Sequence, residues 1–255
     1  MTTPDFWHDL KTVTRARIGL GRAGDALPTS RVLEFAAAHA AARDAVHQPL
    51  DVVRLASSIG ALGIGEATAI TSRASDRSEY LRRPDLGRLP ADLSPLAAVA
   101  RASEHDVAIV LADGLSPRAL SEHAVGLVTA IVGALPADVT VAPPVIATQA
   151  RVALGDHVAQ RLRTPTVLVL IGERPGLSVA DSLGIYLTHG AEPGCTDARR
   201  NCISNIHPPD GLGYAAAARV AAGLVVGARR LGRSGVDLKD DSRTLGATDP
   251  SAELT

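Results

Sequence analysis

The residues best suited to chemistry are gathered between Thr166 and His207. Glu173 and Arg174 lie in Gly172-Glu173-Arg174-Pro175-Gly176, directly after the apolar run from Thr166 to Ile171. A β-branched and aliphatic run of that length, closed by glycine, predicts a strand buried on both faces. Open α/β sheets hold ligands just past the carboxyl ends of such strands, so Glu173 and Arg174 are expected to face a crevice. Downstream, Asn201, Ser204 and Asn205 flank Cys202 and predict a polar loop suited to a ligand edge. Together these residues offer hydrogen-bond donors and acceptors for a polar ligand. No Ser/His/Asp set or carboxylate pair stands in an arrangement that would carry acid–base or nucleophilic catalysis.

The glycine pattern Gly19-Leu20-Gly21-Arg22-Ala23-Gly24 matches the dinucleotide fingerprint and raises a nucleotide-binding alternative. Its context argues against that alternative. Lys11 to Ile18 carries two arginines and two threonines where a buried strand is needed, and the next helix starts four residues late. A glycine-rich connection packed against a partner fits better. Cys195 and Cys202 are seven apart, without the paired spacing of a zinc site or a disulfide framework, which points to a reducing compartment.

Composition narrows the classes further. Lys and Arg number 26 against 27 Asp and Glu, a net charge of −1, which gives no electrostatic case for nucleic acid or an anionic membrane. One Trp and two Phe leave few stacking platforms for single-stranded nucleic acid. The segment Tyr214 to Leu231 is broken by Arg219, Arg229 and Arg230, so it is not expected to span a membrane.

The elements that must position these residues divide the chain at about Ser94. Residues 1–93 predict a small helical N-terminal domain and linker: helices over Ser30 to Val46, with Val32, Leu33 and Phe35 inward, and over Leu50 to Ile59. The charged turn Arg82 to Arg88 joins this domain to the second one. Residues 94–238 predict an α/β, Rossmann-like unit with a mainly parallel sheet and flanking helices. Its strands are expected near 107–111, 139–141 and 166–171, with another around Tyr186. Helices are expected over Leu96 to Ser103, from Pro117 behind the Ser116 cap to about Leu135, over Arg151 to Arg163, and over Gly213 to Leu231. Ser178 predicts the cap of a further short helix over Val179 to Leu183, so that two helix amino termini would stand side by side above the sheet. Residues 239–255 are expected to form a frayed tail.

Several ordered motifs carry a resemblance. Ile171–Gly190 (IGERPGLSVADSLGIYLTHG) and Arg199–Pro208 (RRNCISNIHP) are similar to the small (light) subunit of ethanolamine ammonia-lyase. So are YLRRPDLGR at Tyr80–Arg88, IVLADGLS at Ile109–Ser116, QARVALGDHVA at Gln149–Ala159 and GRAG at Gly21–Gly24. The resemblance covers nearly the whole chain apart from roughly the last fifteen residues. It implies an adenosylcobalamin-dependent lyase that converts ethanolamine to acetaldehyde and ammonia. The substrate would bind in the barrel of a large partner subunit, with cobalamin between the two chains, and the small chain alone would be inactive. Val152, Glu173 and Cys202 match the positions that contact cobalamin in the family. Each also has a plainer reading, as a core valine at a helix start, a carboxylate paired with Arg174, and a buried free thiol. The D-x-H-x-x-G cobalamin signature is absent, since Ser121 stands where its aspartate would precede His123. A stand-alone Rossmann-type oxidoreductase and a purely structural subunit remain as alternatives. The expected location is cytoplasmic. Encapsulation in a bacterial microcompartment is the other location the family suggests, and the roughly twenty residues before GRAG count against it.

Overall fold

A computed structural model describes residues 6–102 and 104–240. Its centre is a six-stranded sheet built from β1 (Thr68–Thr71), β2 (Val107–Ala112), β3 (Val145–Thr148), β4 (Thr166–Gly172), β5 (Leu183–His189) and β6 (Arg200–Ile206). The spatial order is β1-β3-β2-β4-β5-β6. The first four strands pair in parallel, whereas β5 runs antiparallel to both β4 and β6. The sheet is therefore mixed, not mainly parallel. Only ten residues separate β4 from β5, too few for the crossover a parallel neighbour requires.

Strands β2 and β4 lie in the middle, and every residue of both is buried. Their alternation feeds two cores. Ile109, Leu111, Leu168 and Leu170 face α3 (Val52–Gly60), α6 (Pro117–Ala134) and α8 (Tyr214–Leu231). Ala108, Val110, Val167 and Val169 face the other side, where α7 (Leu154–Leu162) and α5 (Ala97–Ala102) lie. Both faces being covered explains why the two strands read as continuous apolar runs.

Local chemistry fixes the helix ends. The Ser116 hydroxyl accepts the Ala119 N–H at 3.1 Å, with Pro117 at the first helical position of α6. Asp51 caps α3 through the Arg54 N–H, and Asp76 caps α4 (Arg77–Arg82) through the Glu79 N–H. Helix α7 ends on Arg163 in the left-handed conformation, and α8 ends on Gly232.

Several expectations are corrected. The third strand is Val145–Thr148, after the prolines; near 139–141 only Val141 makes an isolated bridge, to Val107. Pro144 stands just ahead of β3, where its carbonyl accepts the Thr68 N–H and its missing donor is not needed. Strand β1 lies within the segment expected to be helical. No helix forms over Val179 to Leu183, because Ser182 turns back to pair with Glu173 and Leu183 enters β5. The stretch from Asn201 to Asn205 is part of strand β6, not a loop. In α2 (Thr29–His47), Val32, Leu33 and Phe35 are exposed, and Ala45 is the buried residue. Ser103 and residues 241–255 of the predicted tail lie outside the described residues.

Candidate functional site

Crossovers α6 and α7 leave β2 and β3 toward opposite faces of the sheet, and this opens a crevice beyond the carboxyl ends of β2, β3 and β4. Its floor is made of close backbone. Gly114 has φ +55°, and a Cβ there would stand 2.2 Å from the Gly172 carbonyl oxygen. A Cβ on Gly172 would stand 2.1 Å from the Ser116 carbonyl oxygen. Glycine at both positions lets the turn after β2 touch the end of β4, and the Leu115 N–H donates to Gly172 O at 2.9 Å.

Beside this floor the turns after β2 and β3 are joined by charge. The Asp113 carboxylate accepts the Gln149 and Ala150 N–H groups at 2.8 and 3.0 Å, and Arg77 Nη1 lies 3.5 Å away. Burial pushes the Asp113 carboxyl upward, against the pull of those amides and of Arg77. Arg77 also donates to Val46 O and Gly114 O, which ties the end of α2 to the crevice rim. Tyr80 is fully buried between the guanidinium groups of Arg77 and Arg151, 4.8 and 4.5 Å from its ring centre. Its hydroxyl donates to Ala150 O. Arg151 Nε and Gln149 Oε1 are buried without a protein partner.

The expected site residues gather on the other wall. Glu173 and Arg174 line a cavity of about 270 Å³ together with Tyr80, Arg151, Val152 and Tyr186. A second depression of about 620 Å³ shares Arg151, Val152 and Tyr186 and extends to His157, Cys195 and Arg200. Val152 sits in the turn just before α7, not inside the predicted helix. Glu173 Oε2 accepts from the Ser182 hydroxyl at 2.6 Å and from the Asn205 N–H at 3.2 Å, instead of pairing with Arg174. Tyr186 pairs in register with Cys202, which places the phenol and the thiol side by side on one face of the sheet. Val152 and Glu173, from separate segments, thus share a cavity with Tyr186, while Cys202 lines neither depression and reaches the group through its pairing with Tyr186 across β5 and β6. Of the predicted polar loop residues, Asn201 turns away and bonds the Gly235 and Leu238 backbone.

The electrostatics suit binding better than covalent catalysis. Burial, with the Cys202 sulfur nearby, pushes the Tyr186 phenol up to about 12. Although Cys202 is exposed as a residue, loss of water around its sulfur raises the thiol above its ordinary value. Both groups stay protonated at neutral pH, so Cys202 is a weak polar contact and not a thiolate nucleophile. Glu173 supplies an acceptor and Arg151 a donor at the same rim.

The glycine pattern at residues 19–24 lies outside this site. Arg17 and Arg15 instead reach across to the loop between β4 and β5, at Leu177 O and Ser178 O, and Arg15 pairs with Asp210. Ser178, expected as a helix cap, directs its hydroxyl to Arg15 O. His123 is buried on α6 between Tyr214 and Asp181. Burial opposes ionisation of Asp181, but its contacts with Glu122 and His123 outweigh that and hold its carboxyl below the usual range.

Residues 4–239 match the family model described as ethanolamine ammonia-lyase light chain. The chain belongs to this family. It is 64% identical over 239 residues to the ethanolamine ammonia-lyase small subunit of Rhodococcus erythropolis, covering 94% of this chain and 91% of that protein. Small subunits from Bradyrhizobium diazoefficiens and Ralstonia nicotianae are 50% and 48% identical, with 92% and 93% of this chain and 90% and 89% of those proteins covered. Among the described residues, no helix of this light chain is long and apolar enough to cross a membrane. Tyr186 and Arg151 line the crevice of this light-chain fold but were not singled out from the sequence. The available signal was that Arg151 precedes Val152 and that Tyr186 is the lone aromatic in its strand.

Proposed function

We propose that this chain is the small subunit of an adenosylcobalamin-dependent ethanolamine ammonia-lyase, which converts ethanolamine to acetaldehyde and ammonia together with a large subunit. Its carboxyl-edge crevice forms one wall of the cobalamin site at the interface. The observation that carries the proposal is the convergence of Val152, Glu173 and Cys202 around Tyr186. The donor set suits a corrin rim. Cobalamin's peripheral amides present both N–H groups and carbonyl oxygens. Glu173 accepts from the former, and Arg151, which lines the same cavity, offers its guanidinium N–H groups to the latter. When bound, the cofactor supplies a carbon-centred radical by cobalt–carbon homolysis.

This chain's residues bind and orient. Ser182 and Asn205 hold the Glu173 carboxylate in one position, while Val152 and Tyr186 present apolar surface that excludes water. Among the described residues, no side chain is set up to move a proton on ethanolamine, which fits a substrate site in the large subunit and an isolated chain that is inactive. Residues 94–238 carry the cofactor-facing unit, in which β2, α6, β3, α7 and β4 make a Rossmann-like core. Residues 6–93 pack against it as helices and the edge strand β1. Cys195 and Cys202 are free, in keeping with a cytoplasmic location.

The test is a cobalamin titration of the assembled two-subunit complex. A hydrogen bond to a charged group contributes about 1.5–3 kcal/mol, so Glu173→Ala is expected to weaken cofactor affinity by about one to two powers of ten. Glu173→Gln, which keeps an acceptor oxygen, should fall between Ala and the parent. Unchanged affinity in a folded, assembled Glu173→Ala complex overturns the assignment of this crevice to cobalamin.

A further inference from the structure

The connection between β4 and β5 is fixed to the body of the protein at a second point, on the opposite face from Tyr186. Glu122 and His123 are consecutive on α6, and Asp181 reaches them from 58 residues farther along the chain. One oxygen from each carboxylate and one nitrogen of the imidazole lie within 4.8 Å of one another. The side chain of His123 is 8% exposed, that of Asp181 28% and that of Glu122 41%, so the group is closed on the His123 side and opens to solvent at the carboxylates, most at Glu122.

Charge at this point is out of balance. Carboxylate oxygens of Glu122 and Asp181 lie within 4.8 Å of each other, and two carboxylates sharing a site need a proton or a cation between them. Arg118 satisfies Glu122 Oε1 at 2.7 Å, on the outer side. Two carboxylates and one guanidinium leave one negative charge facing a buried imidazole. His123 Nδ1 is 2.7 Å from the Tyr214 hydroxyl, and Nε2 is 3.3 Å from Asp181 Oδ2. Either tautomer satisfies this chain of groups: with the Tyr214 O–H given to Nδ1, Nε2–H donates to Asp181, and with Nδ1–H given to the Tyr214 oxygen, the Nε2 lone pair turns to the space it shares with the two carboxylates and is free to ligate an ion. The 3.3 Å between Nε2 and Asp181 Oδ2 matches a shared metal ion, since bonds of about 2.0–2.1 Å in tetrahedral geometry put neighbouring ligand atoms roughly 3.3–3.4 Å apart, and the Glu122 oxygen lies within 4.8 Å of both. A hydroxyl on the far nitrogen is the usual outer partner that orients a ligating histidine.

We propose that Glu122, His123 and Asp181 bind a divalent cation of the zinc class, with solvent completing the coordination on the Glu122 side. An imidazole with two carboxylates favours such a metal over magnesium or calcium, which prefer oxygen alone. Asp181 immediately precedes Ser182, the residue that holds Glu173. The ion therefore clamps the far end of the β4–β5 connection onto α6 and steadies the crevice wall. Zinc uptake does not depend on the cobalamin reading, so the two stand or fall separately.

The test uses the full chain, stripped of metal and free of cobalamin, titrated with Zn²⁺ against a competing chromophoric chelator. One equivalent is expected to bind. Asp181→Asn and Glu122→Gln should each weaken binding at least tenfold, and Tyr214→Phe about tenfold through the lost orienting bond. Bound Zn²⁺ should also slow proteolysis of the loop between β4 and β5 in the parent but not in Glu122→Gln. Glu122 is exposed enough for that variant to fold, so it decides the matter even if Asp181→Asn does not. Failure of the parent to take up one equivalent overturns the proposal. Equal affinity in the parent and Glu122→Gln does so as well, since the zinc would then be on other groups and the cluster held by a shared proton.

Discussion

Removal of the Arg200 guanidinium should be among the most costly single changes in this fold. Arg200 opens β6, and Asp156 stands in the first turn of α7. Their side chains are 2% and 0% exposed and meet through two parallel bonds, Nη1 to Oδ1 and Nη2 to Oδ2, each 2.7 Å. The guanidinium also donates to the Thr188 hydroxyl at 2.9 Å and the Cys195 carbonyl at 3.1 Å. The bond to Asp156 holds the Arg200 charge firmly, against the effect of burial, and raises its pKa further. Arg200→Met keeps much of the aliphatic stem but leaves a fully buried carboxylate without its counter-charge. Breaking a buried pair from one side costs about 3–5 kcal/mol. At roughly 2–4 °C per kcal/mol for a chain of this size, the melting temperature should fall by about 6–20 °C. The double variant Asp156→Leu/Arg200→Met, which removes both charges, should recover most of that loss. Thermal and urea unfolding of the three proteins measures the coupling. A single variant that melts within about 2 °C of the parent, or a double variant no better than the single, refutes the reasoning.

The crevice floor and two half-buried histidines give further expected outcomes. Gly114→Ala would place a methyl group 2.2 Å from Gly172 O at a φ of +55°; strain and clash together should cost more than about 2 kcal/mol, read by urea unfolding. Burial holds His157 and His189 below the ordinary imidazole value of 6.5. The unfolded chain then takes up these protons first, so their contribution to stability is full above pH 6.5 and is lost as pH falls through the folded values. Melting temperature should decline with acidification below about pH 6.5, and His189→Gln should decline less steeply; equal slopes in the two proteins would falsify the assignment.

Local sequence determined much of this protein. The apolar runs of β2 and β4 carry their own burial, because a strand covered on both faces has no polar position to offer. Ser116 and Pro117 start α6 wherever the sheet places them, and Gly172 with Glu173 marks the end of a buried strand. The ordered motifs sufficed for the family, and Val152, Glu173 and Cys202 were named on that basis.

Only the tertiary structure decided the direction of β5 and the fate of the residues around it. Residues 178–183 satisfy the local rules for a capped helix, yet the ladder to β4 recruits Leu183, and the Glu173–Ser182 hydrogen bond closes a short connection in its place. Asn201 to Asn205 have turn-forming side chains, but pairing with β5 satisfies their backbone better than a loop would. Strand β1 is four residues of modest hydrophobicity, and its identity comes from the edge of β3 to which it adds. Tyr186 and Arg151 were invisible as site residues for a related reason. The crevice is lined from five separate segments, and no periodicity within one of them encodes their meeting. The sequence sets what each segment can do alone; the sheet decides which polar groups share a cavity, because pairing register and crossover direction are properties of segments taken together.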